Sequence, residues 1–150
     1  MILFFDASAF VKFFHEETGS EAVTRLIISK DNEIWISDLA RIEFLSALFR
    51  RLRNREINEE QLKQAVEGFE EQITLFNIEP LGRVILREAE LLLKRYGKTR
   101  GLRALDALQL GTFSLISEKG WLFVVADDGL WKTAESAGFN TINPLSQLTQ

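Results

Sequence analysis

The sequence contains no cysteine and one histidine, His15. The first absence excludes disulfides, thiolate nucleophiles and sulfur-ligated zinc. The second excludes a His-rich metal site and leaves no partner for triad chemistry, so His15 is expected to be a partly exposed helix residue. Proline is scarce, at 2 residues, beside 9 glycines, 46% hydrophobic and 27% charged residues, a balance that excludes disordered and low-complexity chains. No stretch approaches the ~20 apolar residues that cross a bilayer. The opening run Met1 to Asp6 has no basic segment and soon meets a charge, so a soluble, cytoplasmic protein with no membrane partner is expected. Positive charge is not in excess either. The 18 basic residues face 22 acidic ones, a net charge of -4 that argues against a generally basic, nucleic-acid-coating surface. Whatever chemistry occurs must rest on carboxylates, hydroxyls, Lys and Arg, which suits a hard, oxygen-ligated cation such as Mg²⁺ or Mn²⁺.

What is present has the size of one domain: 150 residues, with no internal repeat, linker or shift in composition, so a single domain over 1–150 is expected. Ile2-Leu3-Phe4-Phe5 is an unbroken apolar run stopped by Asp6, the pattern of a strand buried on both faces and thus of a central parallel strand. Trp121 to Val125 repeats the pattern and ends at Asp127-Asp128. Glu33 to Ile36 and Thr74 to Ile78 read as further strands, and Asn140 to Ile142 as an edge strand. Helices are expected over Ser8 to Phe14, Ser20 to Ser29, Asp38 to Arg53 with Ser37 as N-cap, Asn58 to Gln72 opened by an Asn58/Gln61 capping box, Pro80 to Gly97, Leu102 to Lys119, and Leu130 to Ala137. In the third of these, Leu39, Ile42, Ser46, Phe49 and Leu52 are expected to form the inward stripe. Strands alternating with helices predict an α/β fold, a three-layer α/β/α sandwich with a mostly parallel central sheet.

Ligands of such sheets bind beyond the carboxyl ends of the strands, where strand order reverses. Asp6 and Asp127 both fall there. Asp106 lies on an otherwise apolar helix face with Leu102, Gln109, Leu110 and Phe113, and Glu43 lies among Leu39, Ile42, Ser46 and Ala47. Each acid alone has a structural explanation: Asp6 as a helix cap, Asp127 as a turn or N-cap residue, Asp106 paired with Arg103, Glu43 at the boundary of a buried stripe. Together they call for a counter-charge, because burying unpaired carboxylates costs several kcal/mol each. A divalent cation resolves the problem. It keeps neighbouring carboxylates ionised, acidifies water and offsets charge on a phosphodiester in hydrolysis.

Four segments carry a resemblance: Phe5-Asp6-Ala7-Ser8-Ala9-Phe10-Val11-Lys12, Ala40-Arg41-Ile42-Glu43, Leu102 to Leu110, and Phe123 to Leu130. In this order and spacing the chain resembles the PIN domain, and within it the VapC-like toxin ribonucleases of prokaryotic toxin–antitoxin pairs, over essentially its whole length. The resemblance implies an endoribonuclease in which Asp6, Glu43, Asp106 and Asp127 hold Mg²⁺ or Mn²⁺. It also implies that Ser8 hydrogen-bonds the first acid, that the products carry 5′-phosphate and 3′-hydroxyl ends, that the protein is a homodimer, and that a cognate antitoxin blocks the pocket. Asp127 fits the Asp-x-x-Leu spacing better than Asp128, which is assigned an assisting role. Two positions depart from the commoner pattern: Val125 replaces Thr or Ser, and Gln109 stands where His is frequent. Neither is expected to be an obligatory ligand, and both bear on groups around the ligands.

Two basic patches, Arg50 to Arg55 and Lys94-Arg95 with Lys98, Arg100 and Arg103, offer phosphate contacts for RNA, with Arg50, Arg51, Arg53 and Arg103 as the candidates, although the helix end Arg50 to Arg55 is more simply a solvated face. Trp35 and Trp131 are assigned to packing ahead of base stacking. The alternative functions are a metal-dependent phosphatase with Asp6 as nucleophile and a phosphate-receiver module. The first wants a second acid two residues on, where Ser8 stands, and the second wants an acidic pair after the first strand rather than the last.

Overall fold

A computed structural model describes residues 1–146. Its centre is a five-stranded, wholly parallel sheet of β1 (Ile2–Phe5), β2 (Glu33–Ser37), β3 (Asn77–Glu79), β4 (Leu122–Val124) and β5 (Thr141–Ile142), in the order β3-β2-β1-β4-β5. The helices are α1 (Ala7–Phe10), α2 (Ser20–Ile28), α3 (Leu39–Arg53), α4 (Glu59–Gln72), α5 (Arg83–Arg100), α6 (Ala104–Ile116) and α7 (Asp128–Ser136). The three-layer α/β/α arrangement and the central position of β1 agree with the sequence pattern. Alternate side chains of β1 feed two cores. Leu3 and Phe5 join Phe10, Ile36, Phe44, Leu48 and Phe69 on one face, whereas Phe4 joins Leu110, Phe113, Phe123 and Val125 on the other.

Several elements differ from expectation. The α-helix after β1 is a single turn, followed by a 3₁₀ turn at Val11–Phe13. Thr74 and Leu75 belong to a 3₁₀ turn in which the Thr74 hydroxyl donates back to Glu71 O at 2.9 Å, so β3 starts only at Asn77. Helix α5 passes through Gly97 and ends at Gly101, whose φ of 66° is left-handed. Asp38 has helical dihedrals and makes no side-chain cap, while the buried Ser37 hydroxyl accepts from Leu39 N–H at 3.1 Å. The Asn58/Gln61 capping box is present in both directions, at 2.8 and 2.9 Å.

The inward stripe of α3 is corrected. Ala40, Phe44 and Leu48, with Leu39, face the core, and Ile42 and Phe49 are 68% and 47% exposed. Both sets have helical spacing, and the aromatic packing available decides between them: Phe44 stacks on Phe69 at 4.3 Å and meets Phe14 edge-on at 5.1 Å. On the other layer, Gly111 lets α6 approach the backbone of α5, because a Cβ there would stand 3.3 Å from Ala89 N. Among the described residues no helix is long and apolar enough to cross a membrane.

Candidate metal centre

Strand order reverses between β1 and β4, whose chain continuations run to opposite edges of the sheet. Asp6 follows β1 directly, and Asp127 stands three residues beyond the end of β4. Asp6 is the N-cap of α1, its Oδ2 accepting from Ser8 N–H at 3.0 Å and from the Ser8 hydroxyl at 2.5 Å. Asp127 is the N-cap of α7, its Oδ1 accepting from Leu130 N–H at 2.8 Å. The capping explanation of each acid is therefore correct, and it leaves the other Asp127 oxygen without a protein hydrogen bond among the described residues. Ser8 joins the two strand ends. While donating to Asp6, its Oγ accepts from Ala126 N–H at 3.0 Å and Asp127 N–H at 3.1 Å.

The helices bring the other two acids. Glu43 on α3 is half-buried, and its Oε1 accepts from Gln109 Nε2 of α6 at 2.8 Å. Asp106 stands in the first turn of α6, with Arg103 Nε at 3.7 Å from its Oδ2. That guanidinium is 78% exposed, so the pair is weak and leaves the acid largely uncompensated. A cleft of about 230 Å³ is lined by Arg100 to Arg103, Asp106, Asp127, Gly129, Leu130 and Thr133. Asp6 and Glu43 do not line it, and a larger cleft of about 390 Å³, beside the start of β2 and β3, holds none of the four acids.

Electrostatics bind the acids into one group. Burial pushes Asp6 up to about 6 from its ordinary 3.8, against the hydrogen bonds of Ser8, and the Asp106 charge adds to the rise. Burial likewise pushes Glu43 up to about 7, opposed by the Gln109 hydrogen bond and aided by Asp6 and Asp106. Asp106 is raised by burial and by the Asp127 charge, with Arg103 opposing. Each acid thus interacts with at least one of the others. Among the described residues no three or more acidic or histidine side chains come close enough together to hold a metal ion as a group. Mg²⁺ commonly takes only one or two carboxylates and completes its octahedron with water and substrate oxygens, so an all-oxygen, negatively charged set of this kind fits such an ion.

The remaining sequence candidates divide. Arg103 reaches the cleft, and so does Arg100 of the same basic patch. Asp128 does not: it turns outward to Lys132 at 2.7 Å. Arg51 is corrected from a phosphate contact to an internal ion pair, since its Nη2 lies 2.8 Å from Glu17 Oε2 and its side chain is 12% exposed. Glu17 also takes Lys12 Nζ at 2.9 Å, and these two cations lower it despite the opposing effect of burial. Arg50 and Arg53 remain exposed at the far end of α3, roughly 10–15 Å along the axis from Glu43 at 1.5 Å per residue. Trp35 and Trp131 are engaged internally, through Trp121 at 5.3 Å and Thr141 Oγ1 at 2.9 Å.

Comparison with known proteins gives the same fold. The PIN domain profile matches residues 3–135. Ribonuclease VapC45 of Mycobacterium tuberculosis is 30% identical over 137 residues, 91% of this chain and 92% of the relative. The crystal structure of Mycobacterium tuberculosis VapC20, described as a sarcin-ricin loop cleaving toxin, superposes with a TM-score of 0.69 at 19% identity, covering 95% of this chain and 99% of that one. A toxin–antitoxin complex from Klebsiella pneumoniae superposes with a TM-score of 0.56 at 16% identity, covering 95% and 97%. At those identities the two structures speak for the fold, whereas the profile match over nearly nine-tenths of the chain speaks for descent: this chain belongs to the PIN domain family.

Proposed function

We propose that this chain is a single-domain, divalent-metal-dependent endoribonuclease, the toxin of a toxin–antitoxin pair, with Asp6, Glu43, Asp106 and Asp127 as its metal-binding carboxylates. The reading is supported by Asp6 and Asp127 beyond the carboxyl ends of β1 and β4, and by the repulsion that couples Asp6 to Asp106, Glu43 to Asp6 and Asp106, and Asp106 to Asp127. When bound, Mg²⁺ or Mn²⁺ supplies acidity to water and positive charge against phosphate oxygens. Ser8 holds Asp6 and the Asp127 backbone in register, Gln109 holds Glu43, and Arg103 and Arg100 face incoming RNA phosphates from the cleft rim. Kinship with a curated ribonuclease supports RNA as substrate.

Protein partners, a cognate antitoxin and a second copy of the chain, are supported by the apolar outer face of α3. Ile42, Leu45 and Phe49 lie exposed along it, between Arg41 on one side and Arg50 and Arg53 on the other. A phosphoryl-accepting Asp6 is less well supported. Ser8 occupies the position two residues on and bonds Asp6 Oδ2, and no second acid follows β1.

The test is cleavage of total RNA with Mg²⁺, with Mn²⁺ and with EDTA, followed by mapping of the new ends, for the wild-type chain and for Asp6→Asn and Asp106→Asn. Metal-dependent 5′-phosphate ends that vanish in both variants support the proposal. Wild-type cleavage in EDTA, or in either folded variant, overturns it.

A further inference from the structure

One fully buried polar side chain holds a site carboxylate through a bond that packing does not explain. Gln109 stands on the inward face of α6, three residues beyond Asp106, with no solvent exposure. Its neighbours on that face, Leu110 and Phe113, are buried apolar groups of the second core. Its Nε2 crosses from α6 to Glu43 on α3. Its Oε1 is buried and has no hydrogen-bond partner. For packing alone such an amide is a poor choice, because a buried carbonyl oxygen without a donor destabilises the folded state, whereas Met has similar volume and no such requirement. What the amide supplies that Met cannot is the hydrogen bond to Glu43.

That bond orders the carboxylate at the end of a side chain with three free torsions. It engages Glu43 Oε1 and leaves Oε2 without a protein hydrogen bond among the described residues. The donor is also neutral. An Arg or Lys at position 109 would fix the same oxygen but would repel a cation, and would cancel the charge that attracts it. We infer that Gln109 is a positioning residue for the metal site, holding Glu43 so that its second oxygen is offered to the divalent ion. The inference rests on the proposed reading of Glu43 as a metal-binding carboxylate.

Mn²⁺ titration by calorimetry, paired with thermal unfolding in EDTA, tests it on the full chain and on Gln109→Met, Gln109→His and Glu43→Gln. In Gln109→Met, Mn²⁺ should bind about 10- to 100-fold more weakly, the range seen when outer hydrogen bonds to metal ligands are removed. The metal-free melting temperature should be unchanged or higher. Gln109→His, which keeps an N–H donor, should recover affinity to within a few-fold. A merely structural role predicts the reverse: a lower melting temperature and unchanged Mn²⁺ affinity. Wild-type affinity in Gln109→Met overturns the inference, as does equal loss in the Met and His variants, which would assign the effect to packing. If Glu43→Gln binds Mn²⁺ like the wild type, the reading of Glu43 fails and takes the inference with it. Loss in Glu43→Gln without loss in Gln109→Met removes the positioning role alone.

Discussion

Raising the pH should destabilise the metal-free chain, and Mg²⁺ should reverse the loss. Asp6 is buried, and its carboxyl titrates near 6 in the fold against an ordinary 3.8. Between those values the folded state holds more protons than the unfolded one, so stability falls as pH rises. The contribution is present in full below pH 3.8 and is lost as pH passes through about 6. At about 1.4 kcal/mol per pH unit of displacement, Asp6 is responsible for roughly 3 kcal/mol, about half of it lost above pH 5. For a chain of this size that half corresponds to a fall of about 3–6 °C in melting temperature between pH 5 and 8. Glu43 and Asp106 act in the same direction, with smaller effect per unit because both are partly solvated. Glu17 acts oppositely, but its carboxyl is lowered from 4.5 and its contribution is lost only on acidification below this window. Calorimetric or fluorescence melts in EDTA from pH 5 to 8, repeated with saturating Mg²⁺, provide the assay. Saturation at one hundred times Kd adds about 2.7 kcal/mol, and the gain should be large at pH 8 and small at pH 5, where protons compete for the same oxygens. Asp6→Asn should flatten the metal-free profile. A metal-free melting temperature that is level or rising over this range, or an equal Mg²⁺ shift at both ends of it, would refute the reasoning.

Other perturbations separate site from scaffold. Ser8→Ala strands the Ala126 and Asp127 N–H groups and frees Asp6, so it should cost about 2 kcal/mol in urea unfolding and weaken Mn²⁺ binding about tenfold by calorimetry. Arg103→Ala should reduce the slope of log affinity against log salt for RNA by about 1, with little change in unfolding free energy. Arg51→Ala should do the opposite, leaving the salt slope alone and costing roughly 2 kcal/mol, because it removes a charge-assisted hydrogen bond to Glu17, which keeps Lys12 as its partner. Asn58→Ala deletes the cap of α4 and should cost about 1 kcal/mol with cleavage unaffected, which thermal melts and an RNA assay would check together.

The strand pattern that led to Asp6 and Asp127 was legible because a parallel strand covered on both faces must be apolar throughout, so the acid that ends it stands out. The capping box was legible because both of its partners lie within one helical turn. Helix α3 was misread for the converse reason. It carries apolar residues on two faces, and Ile42 and Phe49 satisfy helical spacing as well as Phe44 and Leu48 do. Only the ring of Phe69 and its neighbours, from a helix that follows, selects the buried set. Arg51 looked like one member of a basic run because its partner, Glu17, lies 34 positions earlier. Local periodicity carries no information about such pairings. The Gln109–Glu43 bond spans 66 positions and the Ser8–Asp127 contact 119, which is why Gln109 registered in the sequence only as a departure from a commoner His.

These two long-range contacts share a physical logic that explains how a small fold keeps four acids together. Ser8 ties Asp6 to the end of β4, and Gln109 ties Glu43 to the helix that carries Asp106. In each case the tie is a neutral donor. An internal Arg or Lys would bring carboxylates together as well, and that is how Lys12 and Arg51 hold Glu17 in the same protein. The outcome there is a carboxylate lowered below its ordinary value and matched by charge, with nothing left to attract an ion. Among the candidate site acids the outcome is the reverse: Asp6, Glu43 and Asp106 are all raised, and Arg103, the cation beside Asp106, is itself largely exposed. Neutral hydrogen bonds set the geometry while leaving the repulsion in place, and that unrelieved repulsion is what a divalent cation binds against.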